Sequence, residues 1–465
     1  MKKIILKQIN DIKTYGVKEF FRKLNLLFKV TLKISVDLIA IIPCVIIRFL
    51  SPWFIIRIEK ISTGNLGNFA GNTAVYYCKK KLKIDQLSKK HIDLVYIDYK
   101  DKIYNKQLAK MWKRKLHFFS GYFLDPINRV NRLFPGWQTH SIEDITNPVI
   151  EHSKLPDSLQ RYRMLLKSTS GETLSKIEKC QALDFTREEE IYGKSLLNKF
   201  GLKDGDKFVC FAIRDGAYQL KKISSRYRDW SYHNYRHWDS DNFLLAAENL
   251  TKKGYYVFRM GVVVEKPFKS DNPKIIDYAN SSLRNDFMDV FLGSKCSFCL
   301  STGMGFDDVP HIFRKPIACL SVPLGGGRSF WERFLILTKH HYLKKENRRL
   351  TLSEIFSYGV AFAYDTKVFN QKGIELIDNT PEEIKDSAME MVEYLEKKKL
   401  SNEEEELQKT YQNLHIHNYN IVLKNMKINN GQKFQETSID FKKLHGQFKS
   451  RYSTRFLKNN KSWLR

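Results

Sequence analysis

The chain has 465 residues, enough for about two to three domains of ordinary size. Its 42% apolar and 13% aromatic residues exclude wholesale disorder, and 12 Pro and 23 Gly exclude a collagen-like or low-complexity body. Against 51 Asp and Glu stand 79 Lys and Arg, a net charge of +28, which attracts nucleic acid, anionic lipid or phosphorylated ligands and says nothing of fold.

Seven cysteines are too sparse, and odd in number, for a disulfide framework, so a reducing, cytoplasmic setting is the simpler reading. The charge sits at the ends: residues 1–60 carry 12 basic and 4 acidic side chains, and Gly431 to Arg465 carry 9 and 2. Basic ends on a folded body suit a surface held near an anionic membrane, with a general Lys-rich habit as the plain alternative.

The most apolar stretch falls within residues 24–58. Leu38–Ile47 is a run of ten residues bracketed by Asp37 and Arg48 and interrupted by Pro43, short of the ~20 needed to cross a bilayer. No small-residue cleavage site follows, which argues against a removable signal peptide. Upstream, Lys13, Lys18, Arg22, Lys23, Lys29 and Lys33 alternate with Phe20, Phe21, Leu24, Leu26, Leu27, Phe28 and Val30. That pattern suits a helix lying among headgroups. The expectation is a basic, membrane-associating helical segment over residues 1–52, peripheral on the cytoplasmic face of the membrane. Packing of residues 24–58 on the first domain and a spanning helix are the alternatives.

Phe54–Ile58 reads as a β-strand, Ser62–Asn68 as a glycine-bearing loop, Phe69–Leu82 as a helix, Ile92–Ile97 as a second strand and Asn105–Lys115 as a second helix. That alternation is the pattern of a doubly wound α/β domain, assigned to residues 53–200. Leu116–Asp184 reads as mostly helical. The turn cluster Gly201-Leu202-Lys203-Asp204-Gly205-Asp206 marks a boundary. A second alternating set fills residues 201–400: strands at Phe208–Ile213, Tyr255–Met260, Cys296–Leu300 and Ile317–Val322, with helices at Asp241–Lys253 and Asn285–Gly293. Thr380 as N-cap, Pro381 in the first helical position and Glu383 three residues on start a late helix. Residues 401–465 read as a helical, basic tail.

In open parallel sheets ligands bind outside the carboxyl ends of the strands. There the second half presents Arg214 and Asp215, then Arg259 and Gly261, then Ser301, Thr302, Gly303 and Gly305. A Ser-Thr-Gly-x-Gly turn offers hydroxyls, backbone N–H groups and a helix N-terminus to an anion, and arginines offer planar forks to phosphate. The plain readings are a tight turn and surface ion pairs.

Four segments carry a resemblance: Leu183–Glu189, Val209–Tyr218, Tyr255–Gly261 and Ser301–Asp307. Together with Tyr235-Arg236-His237-Trp238-Asp239 (where His237 replaces an Asn), Leu66–Thr73 and Asn105–Leu108, they resemble a family of bacterial glycosyltransferases of surface-polysaccharide synthesis, assigned to the GT-B class. The resemblance spans roughly Phe54 to Leu395. It implies a GT-B-like α/β fold of two Rossmann-like doubly wound domains facing across a cleft, a nucleotide-sugar donor on the second and a glycan or glycolipid acceptor approached from the first. Arg214, Tyr218, Arg259, Gly261, Ser301, Thr302, Gly303 and Gly305 are the expected donor-binding residues, and Gly64, Gly67 and Asn68 are expected at the acceptor side. The expected transfer needs no metal or other cofactor, since Arg and N–H donors can neutralise the leaving diphosphate.

Asp239-Ser240-Asp241 matches a metal-binding Asp-x-Asp formally, but its place at a helix start favours capping, and the lone C-x-x-C of Cys296 and Cys299 favours buried strand cysteines. A catalytic base could come from Asp125, His140, His152, Asp157 or Asp215. Competing readings are a nucleotide-sugar epimerase or hydrolase of the same architecture, and a basic nucleic-acid- or membrane-binding protein without catalysis. The lack of a nucleic-acid motif weighs against a nucleic-acid partner.

Overall fold

The structure, a computed structural model, describes residues 2–84, 87–142, 171–218, 230–320, 324, 331–425, 441–442 and 446–465. In chain order the main elements are α1 (Lys2–Leu50), β1 (Ile55–Lys60), α2 (Leu66–Lys81), β2 (His91–Ile97), α3 (Lys106–Lys113), β3 (Phe118–Ser120), α4 (Gly121–Asn131) and α5 (Arg187–Lys199). Next come β4 (Lys207–Ala212), α6 (Leu244–Lys252), β5 (Tyr255–Arg259), β6 (Ile275–Ile276), α7 (Asp286–Lys295), β7 (Cys299–Ser301), α8 (Asp308–Ile312), β8 (Ile317–Leu320) and β9 (Phe334–Leu337). The chain closes with β10 (His340–Leu343), β11 (Arg348–Arg349), β12 (Ile374–Ile377), α9 (Pro381–Leu395), α10 (Asn402–Asn425) and β13 (Arg451–Tyr452). The α/β class and the parallel sheets agree with the sequence reading.

Contacts divide the chain into two units: Met1–Ile61 with Gln86–Lys102 and Leu116–Thr146, and Ser62–Asp85 with Ile103–Lys115 and Asn147–Arg465. This division differs from the linear one expected. Helices α2 and α3 belong with the second unit, where α2 packs on α8 and α3 on α7.

The first unit holds a parallel sheet of order β1-β2-β3, the last strand lying in the stretch expected to be mostly helical. Ile58, Tyr96 and Leu124 form its core, with Ile47 and Ile127 packed against them. Helix α1 turns sharply at Gly16 (φ +71°) and then runs on through Pro43 to Leu50. Proline there costs a backbone hydrogen bond but does not end the helix, so Gly16–Leu50 is a 35-residue segment long and apolar enough to cross a membrane. This exceeds the ten-residue run read from the sequence, which treated Pro43 as a break. One face of α1 is held by protein: Asp37 pairs with Arg129 at 2.5 Å, Arg48 Nη1 donates to Asn131 Oδ1 at 2.8 Å, and Ala40 and Cys44 pack on Val130. Phe20, Phe21, Leu27, Phe28, Ile39, Ile42 and Phe49 are exposed.

The second unit is built on a seven-stranded parallel sheet of order β13-β9-β8-β7-β4-β5-β6. Its central strands are buried on both faces, as continuous apolar runs such as Phe208–Ala212 require. A small antiparallel sheet, β11-β10-β12, was not foreseen. Helix α9 begins with the capping box anticipated, Thr380 accepting from the Glu383 N–H and Glu383 from the Thr380 N–H. The end of the chain is no free tail. Gln408 binds the backbone of Tyr452, and Tyr452, Phe456, Leu457 and Trp463 are buried in the main core.

Candidate functional site

Strands β7, β4 and β5 are consecutive in the second unit's sheet, so the three ends singled out in the sequence lie side by side. Beyond them is a cleft of about 210 Å³ lined by Arg214, Asp215, Tyr218, Gly261 and Gly305, with Asn65 and Leu66 at the start of α2, Tyr104 before α3, and Asp289 of α7. Val262, Val263, Val264, Met304 and Phe306 give it a mainly apolar wall. Asn65 caps α2 by accepting from the Asn68 N–H at 2.8 Å. Tyr104 and Tyr218 meet edge to face with ring centres 6.0 Å apart.

Two glycines bring α2 to this site. A Cβ on Gly67 would stand 2.8 Å from Asp308 Oδ2 and 3.2 Å from Gly305 Cα, and a Cβ on Gly305 would stand 3.2 Å from the Gly67 nitrogen. Gly67 therefore has a packing role at the cleft, Asn68 is half-buried beside it, and Gly64 is exposed with open space around it.

The serine and threonine of the turn serve the fold. The Ser301 hydroxyl, fully buried, donates to Asp307 and accepts from the Gly303 N–H at 3.1 Å. Thr302 Oγ1 accepts the Arg214 N–H at 2.8 Å, tying the ends of β7 and β4 together. A 3-10 turn, Gly305–Asp307, intervenes before α8, which is only five residues long. The extended helix dipole that an anion site draws on is therefore missing here, contrary to expectation.

The two arginines part company. Arg259 is 1% exposed, its Nη2 donating to Asp215 Oδ2 at 3.3 Å and its Nη1 lying 3.9 Å from Asp277 Oδ1. It is an internal ion beneath the cleft, not the phosphate fork expected. Asp215 is equally committed, since it also accepts the Ala217 N–H at 3.1 Å and the Glu265 N–H at 2.8 Å; this leaves it poorly placed as a base. Arg214 differs in lining the cleft; its Nε, like Arg259 Nε and Nη1, is buried without a hydrogen-bond partner among the described residues. Burial, and next the nearby Arg236, pull its pKa down to about 10, which still leaves it charged at neutral pH.

Two residues of the Tyr-Arg-His segment, quoted in the resemblance without a role, stand here as well. Arg236 donates through Nη2 to the Gly303 carbonyl. His237 lies against Gly216, where a Cβ would be 3.1 Å from His237 Cε1. Burial first, and then the positive charge of Arg214, hold His237 down to about 4, so it is neutral at pH 7. Lys339 donates to the His237 carbonyl, pairs with Asp378 at 2.7 Å and lies 4.6 Å from the Trp238 ring centre.

Asp289 was also missed, because an acid inside an amphipathic helix carries no motif. It accepts from the Tyr278 hydroxyl and from Arg284 Nη1, each at 2.8 Å, yet burial outweighs both and raises it to about 6. Of the other base candidates, Asp125 accepts from Tyr96 at 3.0 Å and pairs with Arg129, and His140 Nδ1 bonds the Ile56 carbonyl at 2.8 Å, both within the first unit. His152 and Asp157 lie outside the described residues. Asp239 caps the turn Ser240–Phe243, and Asp239 and Asp241 both pair with Lys266 at 2.6 Å. Cys296 and Cys299 are buried thiols.

No protein-family model matches the sequence, and no curated protein does. Among solved structures, the chain is similar to a glycosyl transferase family 9 protein from Veillonella parvula, with 11% identity over 73% of this chain and 97% of that one and a TM-score of 0.38. It is also similar to the ADP-heptose lps heptosyltransferase II of E. coli, with 12% identity over 73% and 100% and a TM-score of 0.35. A third likeness is to E. coli heptosyltransferase WaaC with ADP-2-deoxy-2-fluoro heptose, 9% identical over 61% and 93% with a TM-score of 0.26. At this distance, function has to be read from the site's own geometry.

Proposed function

We propose that the protein is a glycosyltransferase that moves a sugar from a nucleotide-sugar donor to a lipid-linked or surface-glycan acceptor in cell-envelope polysaccharide synthesis. The observation that carries this reading is Arg214: a guanidinium on the wall of a mainly apolar cleft at the strand ends, its Nε without a hydrogen-bond partner among the described residues. Apolar walls suit the faces of a base and a sugar ring, and one placed cation suits a diphosphate. In the transfer, the bond from the anomeric carbon to the phosphate oxygen breaks and its electron pair leaves with the diphosphate. The acceptor's hydroxyl oxygen bonds to that carbon, and its proton passes to a base. Arg214 would neutralise the charge that develops on the leaving group, while Tyr218, Gly261 and Gly305 shape the space for the donor. Arg259, with Asp215, holds the floor rigid.

The membrane-side acceptor is supported by α1. Its exposed apolar face, interspersed with Lys18, Arg22, Lys23, Lys29 and Lys33, fits an anionic cytoplasmic leaflet. The Asp37–Arg129 and Arg48–Asn131 contacts tie residues 37–48 to the first unit, which favours a helix lying on the surface over one that crosses.

Incubation of the full chain with UDP-, GDP-, ADP- and dTDP-sugars and an extract of membrane lipids should give nucleoside diphosphate that depends on the acceptor fraction. Arg214→Met should lower the rate about 100-fold or more. No release and no thermal shift with any donor would overturn the reading, and equal release without acceptor would assign a hydrolase or epimerase instead.

A further inference from the structure

The first unit carries an aromatic surface at one corner of its sheet. Phe119 is the register partner of Tyr96, whose hydroxyl bonds Asp125 of α4, so Phe119 points to the face of the sheet on which α4 lies. Helix α1 packs on that face too, with Ile47 against the cluster of Ile58, Tyr96 and Leu124. Phe123 precedes Ile127 by four residues and Val130 by seven, which puts it on the stripe of α4 turned to α1. Yet Phe119, Tyr122 and Phe123 are each more than half exposed, and Tyr99, just past β2, stacks on Tyr122 with ring centres 4.3 Å apart.

The surface has its own charge. Lys100 Nζ lies 4.9 Å from the Tyr99 ring centre and, among the described residues, pairs with no carboxylate, while Asp98 and Asp101 are both held by Lys60, at 3.3 and 2.8 Å. Uncovered aromatic rings gathered in one patch mark an interaction surface. Tyrosines, apolar in body and polar at the tip, suit the boundary between acyl chains and headgroups, and the lysine beside them suits anionic lipid. A second copy of the chain is the poorer occupant, since each copy carries a net charge of +28, which repels another copy and draws an anionic membrane.

We propose that Tyr99, Phe119, Tyr122 and Phe123, with Lys100, form a second membrane-docking surface, remote from α1 in sequence and acting with it on an anionic bilayer. These residues stand at the carboxyl ends of β2 and β3, the side on which open parallel sheets bind ligands. The docked unit therefore presents that edge to the lipid. The inference rests on the membrane-side reading of α1 above and adds to it which edge of the first unit meets the bilayer.

The test uses the full chain. All seven cysteines are buried, so Phe123→Cys gives one accessible thiol for an environment-sensitive fluorophore, and Leu87→Cys, exposed before the amino end of β2, gives a control. With vesicles of phosphatidylglycerol and phosphatidylcholine, the label at 123 should shift to the blue and be quenched by brominated acyl chains, and the label at 87 should do neither. In unlabelled protein, Phe119→Ser combined with Phe123→Ser should weaken vesicle binding by about 10-fold, with the circular dichroism spectrum unchanged. A chain that co-sediments with vesicles while the label at 123 stays in water, or while both labels respond alike, overturns this inference and leaves the membrane reading of α1 standing. A shift at 123 that grows with protein concentration in the absence of vesicles assigns the face to a second copy and also overturns it. Failure of the wild type to bind the vesicles overturns both, and leaves the transferase reading to its own assay.

Discussion

Asp215 and Arg259 are joined across two adjacent strand ends, Asp215 Oδ2 accepting from Arg259 Nη2 at 3.3 Å while two backbone N–H groups bind the same carboxylate. The guanidinium is 1% exposed, so the pair acts as the internal brace between β4 and β5 under the cleft.

Removing the carboxylate should therefore be costly. Asp215→Ala leaves Arg259, among the described residues, with only Asp277, 3.9 Å away, and uncompensated buried charge is worth about 3–5 kcal/mol. Urea unfolding should show a loss of that size, whereas a change below about 1 kcal/mol, within the range of exposed ion pairs, would show that the pair is no brace.

The contact of α2 with the turn after β7 gives a second prediction. Gly67→Ala puts a methyl 2.8 Å from Asp308 Oδ2 and 3.2 Å from the Gly305 backbone. The carboxylate can rotate away but the backbone cannot, so the variant should lose about 1–3 kcal/mol, the usual cost of overpacking, and should bind donor more weakly. Gly64→Ala, in open space, serves as the silent control; equal melting temperatures for the two would contradict the packing.

The sequence is informative where the signal is local. The strands at Phe208, Tyr255 and Ile317 are short apolar runs beside glycine or charged turns, and the cap at Thr380-Pro381-Glu383 is local chemistry, so all were legible. Contacts across long separations were not. Whether Arg259 faces a ligand or the interior depends on Asp215, 44 residues away, and both the clustering of Arg236 with Gly303 and the depth of Asp289 depend on loops whose path carries no periodicity. The last residues read as a basic tail because Gly431 to Arg465 carry 9 basic and only 2 acidic side chains, yet Tyr452, Phe456 and Trp463 anchor them in the core. Pro43 was read as a break because proline removes a hydrogen bond, a cost that a long helix partly held by α4 tolerates.

Asp289 should make stability depend on pH in a definite direction. Burial raises its folded-state value to about 6 from an ordinary 3.8, so the folded protein holds this proton more tightly than the unfolded chain. Its contribution is fully present below about pH 4 and is lost as pH rises through about 6. Relative to Asp289→Asn, the wild type should thus lose stability across that window, as read from urea midpoints at pH 4, 5, 6 and 7. A constant difference, or one growing with pH, would contradict the burial argument.

Helix α1 should bind anionic vesicles. The full chain should co-sediment with vesicles containing phosphatidylserine or phosphatidylglycerol, and replacing Lys18, Arg22, Lys23, Lys29 and Lys33 by Gln should weaken this by about 1 kcal/mol per charge near the surface. Replacing the exposed Phe20, Phe21, Leu27 and Phe28 by Ser should weaken it at any salt concentration, because their contribution is apolar. A full chain that stays in the supernatant with anionic vesicles would contradict the surface-lying helix.

The most direct measurement is a crystal structure of the full chain with a nucleoside diphosphate bound. The account predicts the diphosphate against Arg214 and Gly305, with the Asp215–Arg259 pair intact beneath it. A diphosphate seated elsewhere, or one that breaks that pair to reach Arg259, would contradict it.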